Sequence, residues 1–95
     1  MNTYKNYIDG KWQNSTSGKT FSDINPANKE NIIGCFQQSN VKDVRKAIES
    51  ANRAFEKWRK YPPAERAQIL SRVLLLLKEK KKKLARDLTL EEGKT

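Results

Sequence analysis

The sequence has no histidine and one cysteine, Cys35, in 95 residues. Without histidine there is no imidazole to serve as base for a thiol nucleophile. A single cysteine allows no intrachain disulfide, which fits a reducing compartment. Met1 to Gly10 lacks the apolar stretch of a signal peptide. The longest apolar run, Val73 to Leu77, is far below the roughly 20 residues needed to cross a bilayer. These absences lead us to expect a soluble, cytoplasmic chain that does not meet a membrane. Apolar side chains are also sparse, at 36% hydrophobic against 33% charged. One small domain is the most such a chain can form, and its core is marginal unless a partner covers it.

Charge is plentiful and lopsided. The formal net charge is +9. Residues 1–40 hold four lysines against three acids, whereas residues 41–95 hold sixteen basic and eight acidic side chains. A basic half raises nucleic acid or an anionic surface as a partner. The densest stretch is Lys78 to Lys83, five lysines and one glutamate. It could neutralise phosphates, but no aromatic platform or base-reading side chain accompanies it. A solvated helix face is the plainer reading.

The pattern divides the chain into strands and turns over 1–39 and helices over 40–95, an α+β chain with an N-terminal hairpin and two to three helices. Tyr7-Ile8-Asp9-Gly10-Lys11-Trp12 sets Asp-Gly between two short runs, the signal of a tight hairpin with a primed turn. Ser15-Thr16-Ser17-Gly18 is a second turn cluster. Thr20 to Asn25 is an imperfect strand stopped by Asn25-Pro26, and Ile32 to Phe36 is a further short strand. Asn40 is a good N-cap, with Asp43 adding negative charge to the first turn. Val41, Val44, Ala47, Ile48, Ala51, Ala54, Phe55 and Trp58 follow at helical spacing. Tyr61-Pro62-Pro63 ends that helix and Pro63 opens the next. Lys81 interrupts the apolar face of Leu70, Val73, Leu74, Leu77, Leu84 and Leu88, so a break near Lys80 is expected; Gly93 is a natural stop. Leu74 to Leu77 point around the helix, which calls for covering surface that a chain this small cannot itself supply.

The ordered set of Tyr7-Ile8-Asp9-Gly10-Lys11-Trp12, Ser17-Gly18-Lys19-Thr20-Phe21, Ile24-Asn25-Pro26-Ala27-Asn28, Pro62-Pro63-Ala64-Glu65-Arg66 and Leu88 to Thr95 resembles the opening of the aldehyde dehydrogenase superfamily. The resemblance implies an α/β parent that oxidises an aldehyde to an acid with NAD or NADP through a cysteine thioester. It also implies a dimeric or tetrameric enzyme. The residues here would be the N-terminal portion of the cofactor-binding domain, with the Rossmann core, nucleophile, base and nicotinamide pocket elsewhere in the parent. No catalytic or cofactor-binding residue is therefore expected in 1–95, and the chain alone is expected to be inactive. Leu88 to Thr95 is most similar to the branch acting on semialdehydes such as those of 2-oxoglutarate and succinate.

Four local features compete with that reading. Cys35, between Gly34 and Phe36 in an apolar strand, reads as a small buried hydrophobe. Glu91 and Glu92 point about 100° apart on a helix and cannot converge on one atom. The resemblance implies a monovalent cation held by the Asp23 and Ile24 carbonyls and the Glu91 carboxylate, oxygen donors suited to a hard cation. Gly93-Lys94-Thr95 imitates a phosphate loop but lacks its upstream glycine. The alternative from another class is a small basic helical protein that binds nucleic acid or a protein partner. The exposed leucines also predict that the chain associates with itself.

Overall fold

The computed structural model of the chain describes residues 2–93. β1 (Asn6–Ile8) and β2 (Lys11–Gln13) form the expected antiparallel hairpin. Both central residues of its turn have positive φ, 54° at Asp9 and 74° at Gly10. This mirror-image turn matches the right-handed twist of the strands it joins. Tyr7 lies opposite Trp12, and their rings meet edge to face at 4.9 Å.

β3 (Thr20–Asn25) and β4 (Asn28–Gln37) form a second antiparallel hairpin around Pro26 and Ala27. β4 corrects the expectation of a short strand at Ile32 to Phe36. It begins four residues earlier, at Asn28, because pairing across a hairpin recruits polar residues that carry no strand signal of their own. The register slips around Ile24, which faces Ile32. The N-terminal segment adds a short parallel contact to β4: Tyr4 N–H donates to the Cys35 carbonyl at 2.8 Å, and Cys35 N–H to the Asn2 carbonyl at 2.9 Å.

The helices follow as expected. α1 (Val41–Trp58) starts at Asn40, α2 (Pro63–Glu79) opens on Pro63, and α3 (Lys81–Glu92) follows a break at Lys80. α3 ends at Gly93, whose φ is +74°. A Cβ there would stand 2.9 Å from the Ala27 amide nitrogen, so glycine lets the end of α3 approach the β3–β4 turn.

Among the described residues no hydrophobic side chain is buried. The accessible surface is 8236 Å², against about 5,600 Å² for a globular chain of this mass. The radius of gyration is 16.9 Å, where about 12 Å is usual for this length. The substantial packing joins α3 to β3, α1 to β1 and α2 to α3, and α1 and α2 share no extended interface.

The way α1 is attached explains the open shape. At about 100° per residue, its apolar residues from Val41 to Trp58 fall within an arc of about 140°. The helix meets the first hairpin through one edge of that arc, where Val44 and Ala47 line a cleft with Asn6, Tyr7 and Ile8, and through the adjoining polar flank. Lys46 donates to Gln13, Ser50 donates to Asp9 at 3.2 Å, and Arg53 pairs with Asp9 at 3.6 Å. Val41, Val44, Ile48 and Phe55 remain exposed. On α2, Ile69, Leu70, Val73, Leu74, Leu76 and Leu77 span about 160°, with Leu75 opposite them. All seven are exposed.

Replacement of Gly93 by alanine imposes both an unfavourable φ and a clash with the Ala27 backbone. We expect a loss of about 1–2 kcal/mol in the docking of α3, read as faster amide exchange over Asp87–Glu92 with β1 and β2 unchanged.

Candidate functional site

Among the described residues the buried side chains are polar: Ser15 is 5% exposed, Asp43 5% and Gln37 8%. They form one junction. Asn40 caps α1 by accepting from Asp43 N–H at 3.0 Å, while the Asp43 carboxylate accepts from Asn40 N–H at 3.0 Å, a reciprocal capping box. The same carboxylate accepts a short hydrogen bond from Ser15 Oγ–H and another from Thr16 N–H at 3.0 Å. Ser15 N–H donates to Gln37 Oε1 at 2.7 Å, and Gln37 Nε2 donates to the Tyr4 carbonyl at 3.0 Å. Ser17 Oγ–H closes the loop on the Gln38 carbonyl at 2.7 Å. The N-terminal segment, the Ser15–Gly18 turn, β4 and α1 thus meet at one point.

These donors stabilise the charged form of Asp43 and hold its pKa down to about 2; the Ser15 hydroxyl contributes most, followed by the Thr16 and Asn40 amides. Sequence reasoning identified Asp43 as a first-turn acid and Ser15 as part of a turn. It missed that they bond to each other across 28 positions, since neither residue type nor spacing encodes that contact.

Two of the three candidate cation ligands come together. Asp23 and Glu91 line one cleft of about 290 Å³ with Tyr4, Lys5, Phe21 and Gln37. They also line an adjoining cleft of about 340 Å³ with Asn31, Lys83 and Asp87. Ile24 lines neither. Lys5 and Lys83 bring positive charge to the same clefts, and among the described residues no group of three Asp, Glu, His or Cys side chains is arranged to hold a metal ion. Any cation there would depend on backbone carbonyls beside Glu91.

The remaining candidates separate. Cys35 is half-buried, with Sγ 3.8 Å from Ser22 Oγ, so the expectation of a buried hydrophobe is corrected. Among the described residues, β3 and the N-terminal segment flank β4 at Cys35, and the side chain stays half-buried. Lys83 pairs with Asp87 at 2.9 Å, one turn along α3, which raises its pKa. Trp12 and Trp58 pack against Tyr7 and Tyr61. Of the phosphate-loop imitation only Gly93 is described; Lys94 and Thr95 lie outside the described residues. No helix among the described residues is long and apolar enough to cross a membrane.

Residues 12–95 match the aldehyde dehydrogenase family. The chain belongs to that family. It is 39% identical over 95 residues to the alpha-ketoglutaric semialdehyde dehydrogenase of Bacillus subtilis, covering 100% of this chain and 20% of that protein. It is 44% identical over 91 residues to a malonate-semialdehyde dehydrogenase of Bacillus cereus, covering 96% and 18%. An NAD-dependent aldehyde dehydrogenase from Sinorhizobium meliloti superposes with a TM-score of 0.88 at 30% identity, over 94% of this chain and 18% of that one. The chain therefore spans about a fifth of the length of the relatives it matches. The α+β arrangement expected from the sequence pattern recurs within that dehydrogenase.

Because Asp43 is depressed, its stabilising effect is complete above the unfolded carboxylate value and is lost as pH falls through the folded one. Stability should be flat above about pH 4 and decline toward about pH 2. Asp43→Asn should lower the thermal midpoint at neutral pH and flatten this acid limb. An unchanged limb in the variant, followed by circular dichroism, would remove Asp43 from the role assigned to it.

Proposed function

We propose that these residues form the N-terminal portion of the cofactor-binding domain of an aldehyde dehydrogenase that oxidises an aldehyde to a carboxylic acid with NAD or NADP. The observation that carries the reading is the family match over residues 12–95. The uncovered apolar faces of α1 and α2 support it, since they are surfaces that an adjoining core would bury. The nucleophile, base and nicotinamide pocket belong, in this reading, to the other four-fifths of such an enzyme, and no side chain of this chain performs a chemical step.

The aldehyde we favour is a semialdehyde of a short dicarboxylic acid. Relatives named for alpha-ketoglutaric and malonate semialdehyde support that choice. We place the enzyme in the cytoplasm as a homo-oligomer. A monovalent cation at the Asp23 and Ile24 carbonyls and the Glu91 carboxylate belongs to the same proposal, supported by the cleft that Asp23 and Glu91 share.

Two measurements address this reading. The purified chain alone should reduce neither NAD nor NADP with any aldehyde; turnover above blank would overturn the assignment of chemistry elsewhere. A chimera with this chain in place of the matching segment of the Bacillus subtilis enzyme should reduce cofactor with that enzyme's own substrate, and an inactive or insoluble chimera would count against the family role.

The chain alone should also self-associate through its leucines. Full burial of each is worth about 1.5–3 kcal/mol. The charge of +9 opposes this at low ionic strength, so association should strengthen with salt. Sedimentation at low and high salt reads it directly, and a compact monomer in both would show that the exposed faces need no cover.

A further inference from the structure

We infer that the N-terminal segment, residues 2–5, is a latch. The Tyr4 ring seats it in a notch that Gly34 leaves in β4, and its release opens the clefts bordered by Asp23 and Glu91 together with the flank of β4 at Cys35. The latch is built from this chain's own contacts and does not depend on the family role proposed above.

Gly34 is buried although it has no side chain to bury. A Cβ there would stand 2.6 Å from Tyr4 Cε2 and 3.2 Å from Cδ2, closer than a ring and a side chain can come. The ring edge therefore occupies the space that any other residue at 34 would claim. Gly34 is not among the glycines with positive φ, so glycine is required here for room and not for backbone freedom. From the notch the ring extends along the same face of β4 and stacks on Phe36, with centroids 5.1 Å apart and planes inclined by 17°.

The rest of the hold is slight. The segment meets β4 through a single parallel bridge at Thr3 and Cys35, flanked by the two backbone hydrogen bonds to Cys35. Gln37 Nε2 adds one more, to the Tyr4 carbonyl. Hydrogen bonds at a strand edge contribute little net stabilisation, because water replaces them on release. The seated and stacked ring supplies the larger share.

The position of Tyr4 gives the latch something to control. Tyr4 borders both clefts that Asp23 and Glu91 share, and a third beside Lys5 and Trp12. It is thus a common wall of all three, and in the second it faces Lys83, Asp87 and Leu90 of α3. With the ring withdrawn these recesses join, and the Asp23 and Glu91 carboxylates open to solutes. Thr3 lies beside Cys35 on the outer edge of β4, so the same release uncovers one flank of that residue. Displacement of the segment, or its removal by a cut after the exposed Lys5, then regulates access to the acidic clefts.

The test follows amide exchange and iodoacetamide alkylation in the full chain, whose one thiol is Cys35. Gly34→Ala should speed exchange of the Tyr4 and Cys35 amides, and alkylation of Cys35, by at least about tenfold. The amides of β1, β2 and α1 should be unchanged. Tyr4→Ala should act in the same way, and Tyr4→Phe, which keeps the ring, should not. Gly34→Ala added to Tyr4→Ala should change nothing further, because the ring that the new methyl would meet is gone. Wild-type rates in Gly34→Ala, or an effect of Gly34→Ala undiminished in the absence of the Tyr4 ring, overturn the latch. Should Gly34→Ala unfold the chain throughout, Tyr4→Ala decides alone, and wild-type rates in that variant overturn it.

Discussion

The carboxylate of Asp43 stands where three stretches of chain that are distant in sequence come together. It accepts from the Ser15 hydroxyl, the Thr16 amide and the Asn40 amide, and its own amide is capped by Asn40. A charged oxygen with this many donors is stabilised more strongly than a neutral acceptor would be. Through Ser15 and Gln37 the network reaches β4 and the N-terminal segment. In most small domains a hydrophobic core performs this unifying role. Here the buried side chains are polar, and the hydrogen-bond network sets where α1 leaves the strands.

The direction of α1 has consequences for everything after it. Once its N-terminus is fixed by the junction and its polar flank by Asp9 and Gln13, Val44 and Ala47 border a cleft beside β1 and the stripe beyond them, with Ile48 and Phe55, is left exposed. Pro62 and Pro63 then turn the chain into α2, which shares no extended interface with α1. α3 returns to the second hairpin, where Gly93 meets Ala27. The result is a frame held by polar contacts around its strands, with apolar helix faces left open. Such a frame suits the edge of a larger domain. Solved relatives in which it superposes on 18% of the dehydrogenase chain are consistent with that place.

Open apolar faces also separate two kinds of stability. Hydrogen bonds and turns fix the local geometry of this segment, because each is satisfied within it. Hydrophobic burial, the dominant favourable term in folding, is largely unrealised: none of the described hydrophobic side chains is buried. The segment has therefore its own shape but relies on a covering surface for most of the stabilisation that its leucines and aromatics can give.

The sequence by itself determined whatever depends on neighbours a few residues apart. Asp9-Gly10 specified the first turn because only a few residue types tolerate positive φ. Asn40, Pro63 and Gly93 set helix ends because caps, proline rings and left-handed glycines act within one turn. The family was legible too, since the ordered motifs span most of the chain. Tertiary structure alone decided what depends on distant residues: the extension of β4 back to Asn28, the bond between Ser15 and Asp43, the half-exposure of Cys35, and the meeting of Asp23 with Glu91. It also decided which face of α1 is covered. Periodicity shows that a helix has an apolar side, but the hairpin took the polar flank because Asp9 and Gln13 offered acceptors to Lys46, Ser50 and Arg53, and no local pattern encodes a choice made by partners more than thirty residues away.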